Sequence, residues 1–225
     1  MINWYRSFRK KYVVQQRREH EYLANKYYAH LIDPFLTKLA YDLKLTPNVV
    51  TGLSGICGVI AGIMFALDFL VIGALLLQLH HFIDGADGNL ARLTNRCTPL
   101  GAKLDRVFDQ IVRISVFVGV AYITDVSLWL KIGFISTIYL DILIVHTYVL
   151  PFMRKYGVIR AEWKAWFLSK GIIPSFDIFL IYFLTSAFAL FDRLDLLIYV
   201  VIVGKNLDWI YRVWECKKTK WLWNL

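Results

Sequence analysis

Cysteine is scarce. Cys57, Cys97 and Cys216 are odd in number and widely spaced, which excludes a disulfide framework and gives no zinc pattern. Charge is scarce as well, at 19% of 225 residues against 58% hydrophobic, and that balance excludes an ordinary water-soluble domain. No compact apolar run ending in small residues occurs before Pro47, so no cleavable signal peptide is expected and the apolar segments must direct insertion themselves. There is no internal repeat and no low-complexity stretch. The net charge of +9 would suit nucleic acid if it were scattered, but it clusters beside apolar segments, which points to an anionic membrane face and to no nucleic-acid partner.

What is present is a series of long apolar runs. A span needs about 20 residues to cross a hydrocarbon core of about 30 Å, and six stretches qualify. They run from about Pro47 to Leu67, Phe69 to Leu90, Pro99 to Ile123, Leu128 to Phe152, Ile172 to Phe191 and Leu194 to Trp214. Short connections at Asp68, Asp125 and Asp192 make three helical hairpins. Lys and Arg gather on the other side, nine before Pro47, five between Met153 and Lys170 and five from Lys205 onward. The positive-inside bias therefore places both termini in the cytoplasm.

The expected architecture is an all-α integral membrane protein. A cytoplasmic, interfacial arm (1–46) precedes a six-helix transmembrane catalytic domain (47–214) and a basic tail (215–225). Residues 1–19 mix aromatic and basic side chains, and 33–44 repeat apolar positions at helical spacing; both read as amphipathic helices on anionic lipid, with a solvated basic arm as the alternative. Gly58 and Gly62 permit close helix approach. Packing within one chain is the first reading of that pair, and a homodimer seam the second.

Ionisable residues inside a membrane cost about 2.5 to 3.5 kcal/mol each and by default mark function. Here they concentrate where the second span ends (HHFIDGADGNLAR) and the third begins (LGAKLDRVFDQ). On helices, Asp84 with Asp87 and Asp105 with Asp109 each share a face. Four converging carboxylates repel unless protonated or bridged, and two divalent cations would balance them; an all-oxygen set suits Mg²⁺ or Mn²⁺. Such a site matches displacement at phosphorus. Gly85, Gly88, Ala91 and Gly101 leave room for a close ligand, and Arg92 offers a fork for phosphate. A salt-bridged helix pair, with Arg92, Lys103 and Arg106 as partners, is the structural alternative.

The string Asp84-x-x-Asp87-Gly88-x-x-Ala91-Arg92, eight residues, Gly101-x-x-x-Asp105-x-x-x-Asp109 resembles in full the signature of the CDP-alcohol phosphotransferase (CDP-alcohol phosphatidyltransferase) family. Thr46-Pro-Asn-Val-Val-Thr51 also resembles a feature common there. The resemblance implies transfer of a substituted phosphate from a CDP-linked donor to an alcohol, with release of CMP, in phospholipid biosynthesis, and at least one of the two substrates a lipid. It implies Asp84, Asp87 and Asp105 as metal ligands and Asp109 as ligand and general base. Gly88, Arg92 and Thr98 would hold the nucleotide diphosphate, with Ala91 and Gly101 giving clearance and Asn48 and Thr51 lining the same cleft. The short chain suits a multi-pass protein of a prokaryotic cell membrane with its active site on the cytoplasmic side.

Other polar signals are weaker. Arg106 and Arg113 flank Asp109 on one face, either to bind an anionic acceptor or to neutralise the aspartates. His80 and His81 cannot share a face and lack a third ligand, so helix packing is the reading. Asp141, His146, Asp177, Lys205, Asn206 and Asp208 should face the bundle interior. The rival function, a small cation transporter, would spread such groups through the membrane depth; this chain gathers its acids at the cytoplasmic end.

Overall fold

The computed structural model describes residues 2–13 and 20–223, with the side chains of Ile2 and Asn3 left aside. Residues 14–19, the end of the first amphipathic stretch, lie outside the described residues. The described residues are all-α apart from one pair of two-residue strands. Helix α1 (Ile2–Tyr12) leads through strand β1 (Glu21–Tyr22) and a π-helical turn (Asn25–Ala29) into α2 (His30–Asp42). Aromatic rings bind α1 to α2, with Phe8 and Phe35 centroids 4.9 Å apart, so part of the aromatic face expected on lipid is spent on packing within the arm.

Helix α3 (Pro47–Ala66) starts where the sequence says it should. Thr46 caps it by accepting from the Val49 amide, and Pro47 follows with the φ a first turn needs. A three-residue connection, with Asp68 at φ 65°, reverses the chain into α4 (Leu70–Leu93). Thr98 and Pro99 repeat the cap-and-proline device at the start of α5 (Pro99–Ile123). Gly62 makes the crossing of α3 and α5 close, because a Cβ there would run into the Ser115 backbone while Gly119 meets the Gly62 carbonyl. The glycine pair thus works inside the chain.

Helix α6 (Leu128–Ile144) continues through a second π-helical turn (Val145–Val149) into α7 (Leu150–Tyr156). A short helix α8 (Glu162–Ser169) precedes strand β2 (Ile172–Ile173), which pairs in parallel with β1. The fifth expected span is corrected here: helix α9 covers only Ile178–Leu190, 13 residues. Pro174 biases Ile173 toward extended backbone, and the helix waits for Asp177, whose carboxylate accepts from the Phe179 amide at 3.1 Å. Helix α10 (Leu194–Leu222) does not stop at Trp214; Glu215, Cys216 and Thr219 are buried in its continuation.

Among the described residues two helical stretches are long and apolar enough to cross a membrane, Pro47–Ala66 and Leu128–Tyr156, with Ile178–Leu190 apolar but shorter. Buried Phe65, Leu77, Val116, Phe117, Phe134, Ile181 and Leu197 form the central core between α3, α4, α5, α6, α9 and α10. The outside is apolar too. Leu53, Ile56, Ile60, Ile63 and Leu67 run exposed along α3 at helical spacing, a stripe that water would not favour.

Candidate active site

The cleft forms where the end of α4 meets the starts of α3 and α5. Asp84 and Asp87 lie one turn apart on α4, and Asp105 and Asp109 one turn apart on α5. One carboxylate oxygen from each of Asp84, Asp105 and Asp109 lies within 4.8 Å of the others, all half-buried. Asp87 stands beside this trio rather than in it: it is buried and accepts a hydrogen bond from the Thr51 hydroxyl. Three of the four acids thus meet at one point and the fourth is held next to them.

Helix α3 supports both acids of α4. Besides Thr51 it presents Ser54, whose Oγ lies 2.9 Å from His80 Nδ1, 3.1 Å from the His80 carbonyl and 3.5 Å from Asp84 Oδ1. Sequence reasoning missed Ser54. Its signal was available, one turn after Thr51 on the helix that opens the cleft. The expected packing role suits His80, which is buried against Ser54 and the Tyr182 ring, and His81, whose Nε2 lies 3.2 Å from Asn25 Oδ1.

The salt-bridged alternative finds little support. Lys103 makes no ion pair among the described residues, and exposed Arg106 turns its Nε back onto the Ala102 carbonyl at 2.9 Å. Arg92 donates to Asn89 Oδ1 at 2.8 Å. Like charges brought together at a partly buried place favour a bound cation, and carboxylate oxygens are the donors that hard divalent ions take. The acidic group therefore fits a metal on its own chemistry.

Beside it opens a cleft of about 190 Å³ that gathers all seven residues expected around a nucleotide: Asn48, Thr51, Gly88, Ala91, Arg92, Thr98 and Gly101. Pro47, Asp87, Ala102 and Asp105 complete the wall, with Arg96 and Cys97, which the sequence reading did not single out. The clue for Arg96 was its isolation as the one basic residue of the loop between the motif halves. Thr98 is fixed by its cap bond from the Gly101 amide, 3.0 Å, and a Cβ at Gly101 would come within 3.0 Å of Asn48 Oδ1. The glycine leaves α3 and α5 space to share this wall.

A second cavity, of about 210 Å³, lies further along the bundle and includes Arg113, Asp141, His146, Asp177, Lys205 and Arg212 in its lining. The structure separates the two arginines expected to act together: Arg113 lines this cavity, and exposed Arg106 is not part of its lining. Lys205 Nζ donates to Asp141 Oδ2 at 2.5 Å, Arg212 to Asp208 at 2.8 Å, and Asn206 to the Thr137 hydroxyl at 2.7 Å. Interhelical pairing, expected as the ordinary role of these groups, accounts for Asp141, Lys205 and Asn206, whereas Asp208 pairs with Arg212 one turn away on α10 itself. His146 departs from expectation: it sits on the π-helical turn and is exposed at the cavity mouth.

Known proteins resemble this chain over most of its length. The family model described as CDP-alcohol phosphatidyltransferase matches residues 44–213. The chain is 27% identical to the archaetidylinositol phosphate synthase of Pyrococcus horikoshii over 80% of its own length and 88% of that protein. It is 33% identical over 100 residues to a bifunctional IPC transferase and DIPP synthase of Aquifex aeolicus, covering 44% of this chain and 21% of that one. A protein of the same description from Thermococcus kodakarensis is 36% identical over 81 residues, 36% of this chain and 18% of its own.

Proposed function

The chain belongs to the CDP-alcohol phosphatidyltransferase family and is a transferase of substituted phosphate groups in phospholipid synthesis, and from that premise we propose a metal-dependent reaction between a CDP-linked donor and an alcohol that releases CMP. The observation that carries this reading is the convergence of Asp84, Asp105 and Asp109 at the edge of a cleft lined by Asn48, Arg92, Arg96 and Thr98. With the enzyme class given by the family, the transporter reading is set aside.

Asp84, Asp87, Asp105 and Asp109 would hold two divalent cations, Mg²⁺ or Mn²⁺, which when bound neutralise the diphosphate and the charge that develops on departing CMP. The protein's own groups do the rest. Arg92 and Arg96 bind the diphosphate from the cleft wall, and Asn48 with Thr98 borders the space left for the nucleotide. Thr51 keeps Asp87 oriented, and Ser54 steadies Asp84. Asp109 accepts the proton of the attacking hydroxyl as its oxygen bonds to the donor's distal phosphorus. The bond from that phosphorus to the bridging oxygen breaks, and CMP leaves with the electron pair.

The acceptor enters, in this reading, from the second cavity. Arg113 lies one turn along α5 from Asp109, and its Nε is buried without a hydrogen-bond partner. An anion there would satisfy that donor, while Asp141 and Asp177 suit hydroxyl groups. The acceptor class this supports is a phosphorylated polyol, in keeping with the archaetidylinositol phosphate synthase among the relatives. The donor then carries the lipid, and the apolar exterior of α3 and its neighbours lies in hydrocarbon. We place six spans there, with 47–214 as the catalytic unit, the arm on anionic lipid and both termini with the cleft on the cytoplasmic side.

The test is CMP release by purified protein from a panel of CDP-linked lipids and acceptors, with Mg²⁺, Mn²⁺ or excess EDTA. Release that needs both substrates and stops on chelation is expected. Undiminished release after exhaustive chelation would reject the metal site.

A further inference from the structure

Among the contacts of the arm with the catalytic helix, one is a buried carboxylate. Asp33 on α2 is 0% exposed, and its Oδ2 lies 2.7 Å from His30 Nδ1. The other ring nitrogen, Nε2, is 3.1 Å from Glu21 Oε2, so His30 bridges two acids. Glu21 belongs to β1, whose pairing with β2 ties the arm to the segment entering α9. Lys26 reinforces the tie by donating to the Lys170 and Gly171 carbonyls at 2.5 and 3.2 Å.

The outer end of Asp33 rests on Gly85. A methyl group at Gly85 would stand 2.7 Å from Asp33 Oδ2 and 2.8 Å from its Cγ and Oδ1. Gly85 follows Asp84 directly and comes two residues before Asp87, inside the family signature but not one of its fixed positions. One turn earlier on the same stripe, His81 meets Asn25 of the arm. Asn25 and Asp33 thus meet α4 along one line, on a side turned about 100° from Asp84, while Tyr28 packs on Phe82 and Ala40 against Leu90 elsewhere on the helix.

A carboxylate is a costly way to fill that place. Burial pushes Asp33 above the usual carboxylate range, with the hydrogen bond and charge of His30 opposing, and its Oδ1 is buried with no hydrogen-bond partner. A leucine would cover Gly85 without desolvating a charge. What the acid adds is a fixed position, since His30 and Glu21 hold it from behind, whereas an apolar side chain is held only by packing. Groups that orient metal ligands from behind matter on the scale of about 10 to 100-fold in affinity or activity.

We propose that Asp33, locked by His30 and Glu21, is a positioning residue for the metal-binding carboxylates: seated on Gly85, it prevents the turn of α4 that carries Asp84 and Asp87 from rotating about its axis. This rests on the metal reading above. It assigns the interfacial arm a part in the reaction, because displacement of the arm would free the catalytic helix.

The experiment is Mn²⁺ titration of purified full-length protein, read by electron paramagnetic resonance, alongside thermal unfolding and CMP release. Asp33→Asn keeps the shape but gives up the charged bond to His30 that locks it in place, and should raise the Mn²⁺ half-saturation concentration about tenfold, with the donor KM little changed. Gly85→Ala forces a methyl into the Asp33 contact and should weaken Mn²⁺ binding more. Asp33→Ala in the same chain makes room for it and should recover a substantial part of that loss, a coupling that two independent structural defects would not show. Wild-type Mn²⁺ affinity in Asp33→Asn, or Gly85→Ala and Asp33→Ala losses that simply add, would overturn the proposal while leaving the metal site standing. A wild-type protein that binds no Mn²⁺ removes the metal reading and this inference with it.

Discussion

The half-buried trio of aspartates and the buried Glu215 have opposite surroundings. Asp84, Asp105 and Asp109 bring three carboxylate oxygens within 4.8 Å of one another, while nearby Lys103 and Arg106 leave them unpaired. Glu215, 1% exposed, receives Arg160 at 2.7 Å and Lys164 at 2.6 Å, and latches α8 to α10. Burial alone does not tell a site from a strut. The difference lies in compensation: Glu215 already has the positive charge it needs, so it fixes structure, whereas the trio has no ion pair among the described residues, Arg106 and Arg113 acting on Asp105 and Asp109 only at longer range, which is the arrangement the proposed cations would complete.

The strongest way to break this comparison is to remove an acid from the uncompensated group. Asp84→Ala should lower CMP release by on the order of 10³-fold, the scale on which a lost charge-stabilising group acts, and should weaken Mn²⁺ binding in titration. Asp109→Asn is the finer instrument. It should cost about 10² to 10⁴-fold in turnover, as loss of a general base does, while retaining part of the nucleotide affinity. Full turnover in Asp109→Asn would remove the base from Asp109.

On the compensated side, Lys164→Met should act on stability and not on chemistry. Burial holds the Lys164 ammonium below the ordinary lysine range and Glu215 opposes that shift, so the charged pair survives through mutual support. Breaking such a buried pair costs about 3 kcal/mol or more; Arg160 remains, which sets the expected loss at the lower end. Thermal unfolding should record it, with kcat of the folded protein unchanged. An equal fall in kcat with no loss of stability would erase the distinction between the two groups.

How much of this was legible depends on the range of the interactions. The cleft proposed for the nucleotide brings together the seven residues expected there, with Arg96 and Cys97 unforeseen beside them, because its walls are two capped helix starts and one helix end, each written locally as Thr-Pro or as small residues at helical spacing. The division among the four aspartates was not legible: whether Asp87 joins the trio depends on Thr51, 36 residues earlier, and on how α3 lies against α4. Likewise α9 is shorter than its apolar run because Pro174 and Asp177 outweigh hydropathy. The clasp of Glu21, His30 and Asp33 on Gly85 joins segments more than 50 residues apart, and nothing in helical periodicity announces it. Where sequence neighbours make the contact, pattern suffices; where packing chooses among partners, it does not.

The smallest expected effect sharpens the comparison at its border, where one nitrogen of a cation is buried without a hydrogen bond. Arg106 and Arg113 share a helix face with Asp109, yet only Arg113 lines the second cavity, with its Nε buried and unbonded. If that nitrogen awaits an anionic acceptor, Arg113→Gln should raise the acceptor KM about tenfold, a loss of about 1.4 kcal/mol. The donor KM should barely move, and the penalty should shrink with an uncharged alcohol. Arg106→Gln, at an exposed side chain folded back on its own helix, should change neither KM. Were Arg113 only a counter-charge for the aspartates, its loss would appear as altered metal affinity and be indifferent to the acceptor's charge. Measuring both variants with one charged and one neutral acceptor separates these outcomes, because only recognition of an anion couples the penalty to the substrate rather than to the site.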